Sequence, residues 1–372
     1  MKVLIVGGGI VGLATAWSLV RQGHDPVLFE QGSLPHEGGA SYDQHRLIRL
    51  PYADQQGYCA MVVDALAAWD RLWDDLGEAP YAEIGSLAVS TEEDDWTDLS
   101  RITLDALGLD YETLDAGDIH ARYPFLTVPQ QAWGLFNRRG GLLFAARIVE
   151  SLVRYLRHRG VTLRDETRIV SVDPAAGCLG LDDGSRESAE AIVVAAGAWT
   201  ARLFPELARR AVPHRQVVAY LEPPEHHVEA WAAAPAMVHL SNAADLYAAP
   251  PVAGNELKFG SGSHRRPGDP DNLEPLGKGE AAAVAAAFRE VLRDFDDYTV
   301  LRGRVCPYGV STDERFVTER NGGVTVIGGC SGHMFKFGAV MGEELAKTAT
   351  GERSFEAFRA WAEGRSGRLE ED

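Results

Sequence analysis

Residues 3–6, Val-Leu-Ile-Val, form an unbroken apolar run, as a strand covered on both faces requires. The pattern then changes period. Leu13, Ala16, Trp17 and Val20 recur at helical spacing, and Gly23 stops the helix they predict. "PVLFE" (26–30) restores a strand. Further on, Met61, Ala65, Ala68, Trp69 and Leu72 share one face of a helix predicted over 57–76. "GSLAVS" (85–90) reads as a strand, and 93–125 as acidic helical pieces with loops. Ile148, Leu152 and Leu156 line a helix over roughly 145–159, ended by Gly160. "TRIVSVD" and Ile192–Val194 are further strands. Short strands and proline-rich loops fill 211–300, closing with an alanine-rich helix, and the last residues, 363–372, are read as frayed. There is no internal repeat.

This order predicts an α/β (α+β) chain of two domains. A Rossmann-like domain takes 1–85, 140–210 and 300–372, and a mostly antiparallel sheet takes 86–139 and 211–299. The length of 372 residues suits two cores.

The first turn carries chemistry. Gly7, Gly9 and Gly12 make G-x-G-x-x-G between strand and helix. Gly7 allows the tight turn, Gly9 lets a pyrophosphate approach the backbone, and Gly12 lets the helix close on the strand. The helix N-terminus then offers its amides to phosphate. Glu30, eighteen residues after Gly12, suits two ribose hydroxyls and repels a 2′-phosphate, leaving NAD or FAD. A nicotinamide enzyme would continue with regular βαβ units. Here a polar, glycine-rich segment with two arginines follows ("QGSLPHEGGASYDQHRLIRL"), which favours FAD. Ala195, Ala196 and Gly197 form a second small-residue turn, read as passing close to the dinucleotide.

Composition narrows the partners. The net charge is −18, from 36 basic and 54 acidic residues, which opposes nucleic acid and anionic membranes. An anionic substrate therefore needs local cations. The four cysteines show neither CxxC nor zinc spacing, and the histidines other than His333 read as surface residues, so no metal is expected. No leader and no run of about 20 apolar residues is seen, and a reduced, cytoplasmic protein is expected.

The fingerprint, "DQHRLIR" (43–49), "AAGAWT" (195–200), "LKFG" (257–260), "CPYGVSTDERF" (306–316) and "SGHMFKFG" (331–338) stand in order along nearly the whole chain. Together they resemble the monomeric sarcosine oxidase and N-methyltryptophan oxidase group of the D-amino-acid-oxidase-like flavoproteins. The resemblance implies FAD bonded covalently to Cys306 and an FAD-dependent amine or amino-acid oxidase. It implies hydride transfer from the α-carbon of a secondary, N-methyl or cyclic amino acid to flavin N5, giving an imine, with dioxygen reduced to hydrogen peroxide. Lys258 matches the oxygen-activating lysine, although sequence context alone would make it a surface residue. Arg46 matches an arginine at the flavin ring. Arg49 and Lys336 match the pair that holds the substrate carboxylate. Tyr308 matches an aromatic wall of the pocket, and Tyr247, after a one-residue gap, a cage tyrosine.

The cofactor set implied comprises Gly7, Gly9, Ile10, Val11, Gly12, Glu30, Gln31 and Ser41. It continues with Arg46, Val170, Ala196, Gly197, Trp199 and Cys306, then Gly332, His333, Met334 and Lys336. Two positions depart from the pattern. The pocket histidine is replaced by Gly262, with His264 two residues on, and the glycine after "SGH" is Met334, which then borders the substrate. Two alternatives stay open: a flavin dehydrogenase with another acceptor, and a flavin-binding subunit without turnover. The family default is a monomer, with a small amine or amino acid and dioxygen as partners.

Overall fold

The computed structural model describes residues 1–242 and 245–367. A six-stranded sheet runs in the order Val317–Asn321, Val324–Gly328, Ala191–Val194, Lys2–Val6, Asp25–Phe29, Thr162–Arg164. All its pairs are parallel except the first. Val3 and Ile5 join one apolar core, and Leu4 and Val6 join another on the opposite face. Strand alternation thus explains the unbroken apolar run, because both faces are covered.

The helix Ile10–Arg21 crosses between Lys2–Val6 and Asp25–Phe29. The late helix Gly338–Thr350 lies against it. A Cβ at Gly338 would strike the Ile10 side chain, and one at Gly342 the backbone of Ala14. Two glycines one helical turn apart let these helices touch.

The second, eight-stranded sheet has the order Thr299–Val310, Val212–Glu222, Leu257–Pro267, Leu246–Ala249, Ala236–Val238, Ser86–Ser90, Trp133–Asn137, Glu112–Asp115. It is antiparallel apart from the pairing of Ala236–Val238 with Ser86–Ser90. Stacked rings fill its core, Phe125 on Trp231 at 3.8 Å and Phe259 on Phe288 at 4.1 Å between centroids.

The predicted helices form as Gln56–Leu76 and Ala145–His158. Among the strands not anticipated, two lie in segments read otherwise. Arg46–Arg49 lies within the segment read as loop and pairs with Gly140–Leu143, and Glu112–Asp115 lies among the acidic helical pieces. Their apolar content is too small to signal a strand, and partner backbones recruit them. Residues 363 and 364 are not frayed: Glu363 is buried and accepts from the Thr318 hydroxyl, and the Gly364 carbonyl accepts from Arg315; 365–367 are exposed, and 368–372 lie outside the described residues. Among the described residues no helix is long and apolar enough to cross a membrane.

Candidate active site

At the nucleotide end, Gly7 has φ +110°, and a Cβ there would collide with the Ala195 carbonyl. Only glycine suits the position. A Cβ on Gly12 would collide with the Gly7 carbonyl. Glu30 accepts the Gly8 amide at 2.7 Å and the Gly32 amide at 2.9 Å, and His36 Nδ1 lies 3.1 Å from its Oε1. Burial alone would raise the pKa of this carboxyl, but the bonds from His36, Gly32 and Gly8 hold it below the ordinary range. Ser41 ties its loop to the helix N-terminus by accepting the Ile10 amide at 3.0 Å.

One cavity of about 680 Å³ runs from this turn to the second sheet. Glu30, Gln31, Ile10, Val11, Ser41, Ala196, Gly197 and Trp199 line one end. Arg46, Lys258 and Cys306 line the middle, and Arg49, Tyr247, Tyr308, Gly332, His333, Met334 and Lys336 the other end. Two expected cofactor residues do not line it. Val170 is 52% exposed, and its neighbour Ile169 faces the cavity instead, because successive strand side chains point to opposite faces. Gly12 acts one layer back, through the helix–strand approach. His264, weighed as a pocket residue, also does not line the cavity; its ring lies 3.2 Å from the Ser263 hydroxyl.

The middle holds a buried charge cluster. Lys258 is 2% exposed, contrary to a surface lysine, because its strand Leu257–Pro267 lies inside the sheet. Its ammonium donates to Asp43 Oδ2 and to the His45 carbonyl, both at 2.9 Å. Arg46 donates to the same Asp43 oxygen, to the carbonyls of Ala40 (2.8 Å) and His45 (2.9 Å), and to Cys306 Sγ at 3.4 Å. Burial works against the Arg46 charge, and Asp43 outweighs it, pushing the guanidinium pKa up. Burial, with Lys258 beside it, pushes His45 down to about 3, so that ring is neutral. Asp43 was not singled out in the sequence. Its one signal is its place at the head of "DQHRLIR"; an aspartate in a polar segment otherwise reads as loop solvation.

At the far end, the turn Phe335–Phe337 is anchored by two buried rings, as expected. The indole N–H of Trp69 donates to the Lys336 carbonyl at 2.7 Å. The Lys336 ammonium, 5% exposed, donates to the Tyr52 hydroxyl at 2.9 Å and the His333 carbonyl at 3.1 Å. Arg49 lies over the rings of Tyr52 (4.4 Å) and Trp96 (4.9 Å) and donates to the Pro51 carbonyl. Every one of these partners is neutral. Burial, with the Arg49 charge added, drives the Lys336 pKa well below its ordinary value. Where the family pattern has a histidine, a Cβ on Gly262 would lie 2.7 Å from Asp245 Oδ2, so Asp245 takes that space. Tyr52, Trp96 and Asp245 were not foreseen. They lie outside the matching motifs and reach the cavity only through the fold.

Two histidines expected at the surface are buried. His45 lies under Lys258, and His227, away from the cavity, has Nε2 3.2 Å from Asp294.

The donor set fits FAD. A glycine cradle with a helix N-terminus meets a pyrophosphate, an ionised Glu30 meets ribose, and a cavity of this size continues to a cluster of cations.

Comparison with known proteins agrees. The chain is 26% identical over 359 residues to the monomeric sarcosine oxidase of a Bacillus species, covering 93% of this chain and 91% of that one. It is 25% identical over 358 residues to the N-methyl-L-tryptophan oxidase of Yersinia pestis, covering 92% and 93%. Its fold is similar to that of NikD, an unusual amino acid oxidase essential for nikkomycin biosynthesis, with TM-score 0.79, 22% identity and coverage of 95% and 94%. The family model described as "DAO: FAD dependent oxidoreductase" matches residues 2–348, and the chain belongs to that family.

Proposed function

We propose that this protein is an FAD-dependent oxidase of a small secondary, N-methyl or cyclic amino acid, releasing an imine and hydrogen peroxide. The observation that carries the reading is the cation pair at the far end of the cavity. Lys336 and Arg49 are held by neutral partners only. An arginine and a lysine kept together in a low-dielectric pocket without a carboxylate, in a protein of net charge −18, suit an anion, which would restore the charge that burial and Arg49 disfavour on the lysine. A carboxylate fits: arginine gives it a planar fork and lysine a point charge. Tyr247 and Tyr308 would wall the pocket. Tyr308 donates to Gln216 Oε1 at 3.0 Å, which fixes its ring.

Bound FAD supplies the two-electron acceptor that joins amine oxidation to oxygen reduction. The net reaction balances, since a CH–NH unit loses two electrons and two protons and dioxygen gains both. Lys258 would stabilise charge developing on oxygen, and Arg46 would sit at the ring with Cys306 as its covalent anchor. We assign the eight-stranded sheet to the substrate side of the cavity and the parallel sheet to the dinucleotide side, with the protein acting as a monomer.

The test is an anaerobic screen of N-methyl and cyclic amino acids against the purified yellow protein. Bleaching by a carboxylate-bearing amine, with stoichiometric peroxide once air is admitted, is the expected result. Bleaching without peroxide would make it a dehydrogenase, and no bleaching by any amine would remove the catalytic reading.

A further inference from the structure

Lys258 and Asp43 are 215 residues apart in sequence and bonded in the fold. A lysine ammonium has three N–H donors. Two are used by Asp43 Oδ2 and the His45 carbonyl, both supplied by the segment 43–45. The third is left for the cavity that Lys258 lines. Asp43 is itself held firmly. Its Oδ1 accepts the Tyr220 hydroxyl and the Gln44 amide at 2.8 Å, and Arg46 shares its Oδ2. Arg302 stacks 3.7 Å over the Tyr220 ring and is paired with Glu256, so it brings no free charge. Of the other titratable groups near Lys258, His45 is neutral and Cys306 favours the charged amine.

Asp43 thus bonds both the buried Lys258 and the half-buried Arg46. A guanidinium does not give up its proton, so without Asp43 the amine of Lys258 would be the group to discharge. We propose that Asp43 is the positioning residue that keeps Lys258 protonated and turns one of its N–H donors into the cavity. The electrostatics agree: burial pushes Lys258 down to about 8, Asp43 opposes the fall and Arg46 adds to it. Protonation of Lys258 then sits close to neutral pH and depends on one carboxylate. This rests on the reading of Lys258 as the oxygen-facing cation. It adds that oxygen reactivity declines as Lys258 discharges.

The experiment is trace acetylation of the holoenzyme with acetic anhydride across pH, with the Lys258 peptide read by mass spectrometry. The wild-type midpoint is expected near 8. In Asp43→Asn it should fall by about one unit or more, and Asp43→Glu, which keeps the charge, should stay within about half a unit of wild type. An unchanged midpoint in Asp43→Asn overturns the proposal. Should that variant fail to fold, a wild-type midpoint under about 7 overturns it without any substitution. The oxygen role is tested separately: unchanged reoxidation in Lys258→Met would remove that role and leave the labelling result standing.

Discussion

The ammonium of Lys336 donates to the Tyr52 hydroxyl at 2.9 Å, and the ring of Tyr52 lies 4.4 Å from the Arg49 guanidinium. One neutral residue therefore holds two basic side chains side by side. Losing one charged hydrogen bond to a bound carboxylate corresponds to about a 10- to 100-fold rise in KM for Lys336→Met. Amines without a carboxylate should be much less affected. Steady-state kinetics with a matched pair of substrates checks this.

The same lysine makes stability depend on pH. Its folded pKa lies below the unfolded value, so the unfolded chain binds more protons between the two. The buried charge destabilises most at low pH, and the penalty fades as pH rises toward the ordinary lysine range. Lys336→Met should therefore melt above wild type at pH 6, with the gap closing by pH 9. Scanning calorimetry at the two pH values decides it, and an equal gap at both would count against the assignment.

Lys336 also links ligand binding to protons. An anion favours the charged lysine, so binding of a carboxylate inhibitor should take up a proton and weaken as pH rises. Calorimetric titration in two buffers of different ionisation enthalpy measures the uptake directly.

Lys258→Met should leave anaerobic reduction by substrate intact and slow reoxidation by about 100-fold or more, the scale of losing one preorganised charge-stabilising group. Stopped-flow absorbance resolves the two half-reactions. Equal slowing of both would show that the lysine only supports the fold.

Cys306 lines the cavity with Arg46 Nη2 3.4 Å from its sulfur. Acid precipitation of the wild-type protein should give a yellow pellet, and Cys306→Ala should release the flavin to the supernatant. A colourless wild-type pellet would dismiss the covalent bond.

Gly342 packs against the Ala14 backbone. Alanine would gain about 1 kcal/mol of helix propensity there. The collision is with backbone, which cannot swing aside, so Gly342→Ala should still lower stability, by about 1–3 kcal/mol in denaturant unfolding.

The amino-acid sequence by itself determined whatever depends on neighbours along the chain. The strand, glycine turn and helix of residues 2–21 are local, since their spacing and small residues state their own geometry. The acid at Glu30 and the turn at 195–197 followed from the same logic, as did the burial of Phe335 and Phe337. The strand Arg46–Arg49 was not legible, because its pairing with Gly140–Leu143 supplies what its own side chains do not. Val170 turns its side chain away from the cavity that Ile169 lines, because adjacent strand residues face opposite sides, and spacing alone did not say which of the two faces inward. Only the tertiary structure decided which charges meet. Asp43 reads as solvent-facing until the fold sets Lys258, Arg46 and Tyr220 around it, and Lys258 reads as a surface lysine until its strand takes an inner place in the sheet. Burial of a charge is a property of everything packed around it, and those partners come from 3 to 215 residues away.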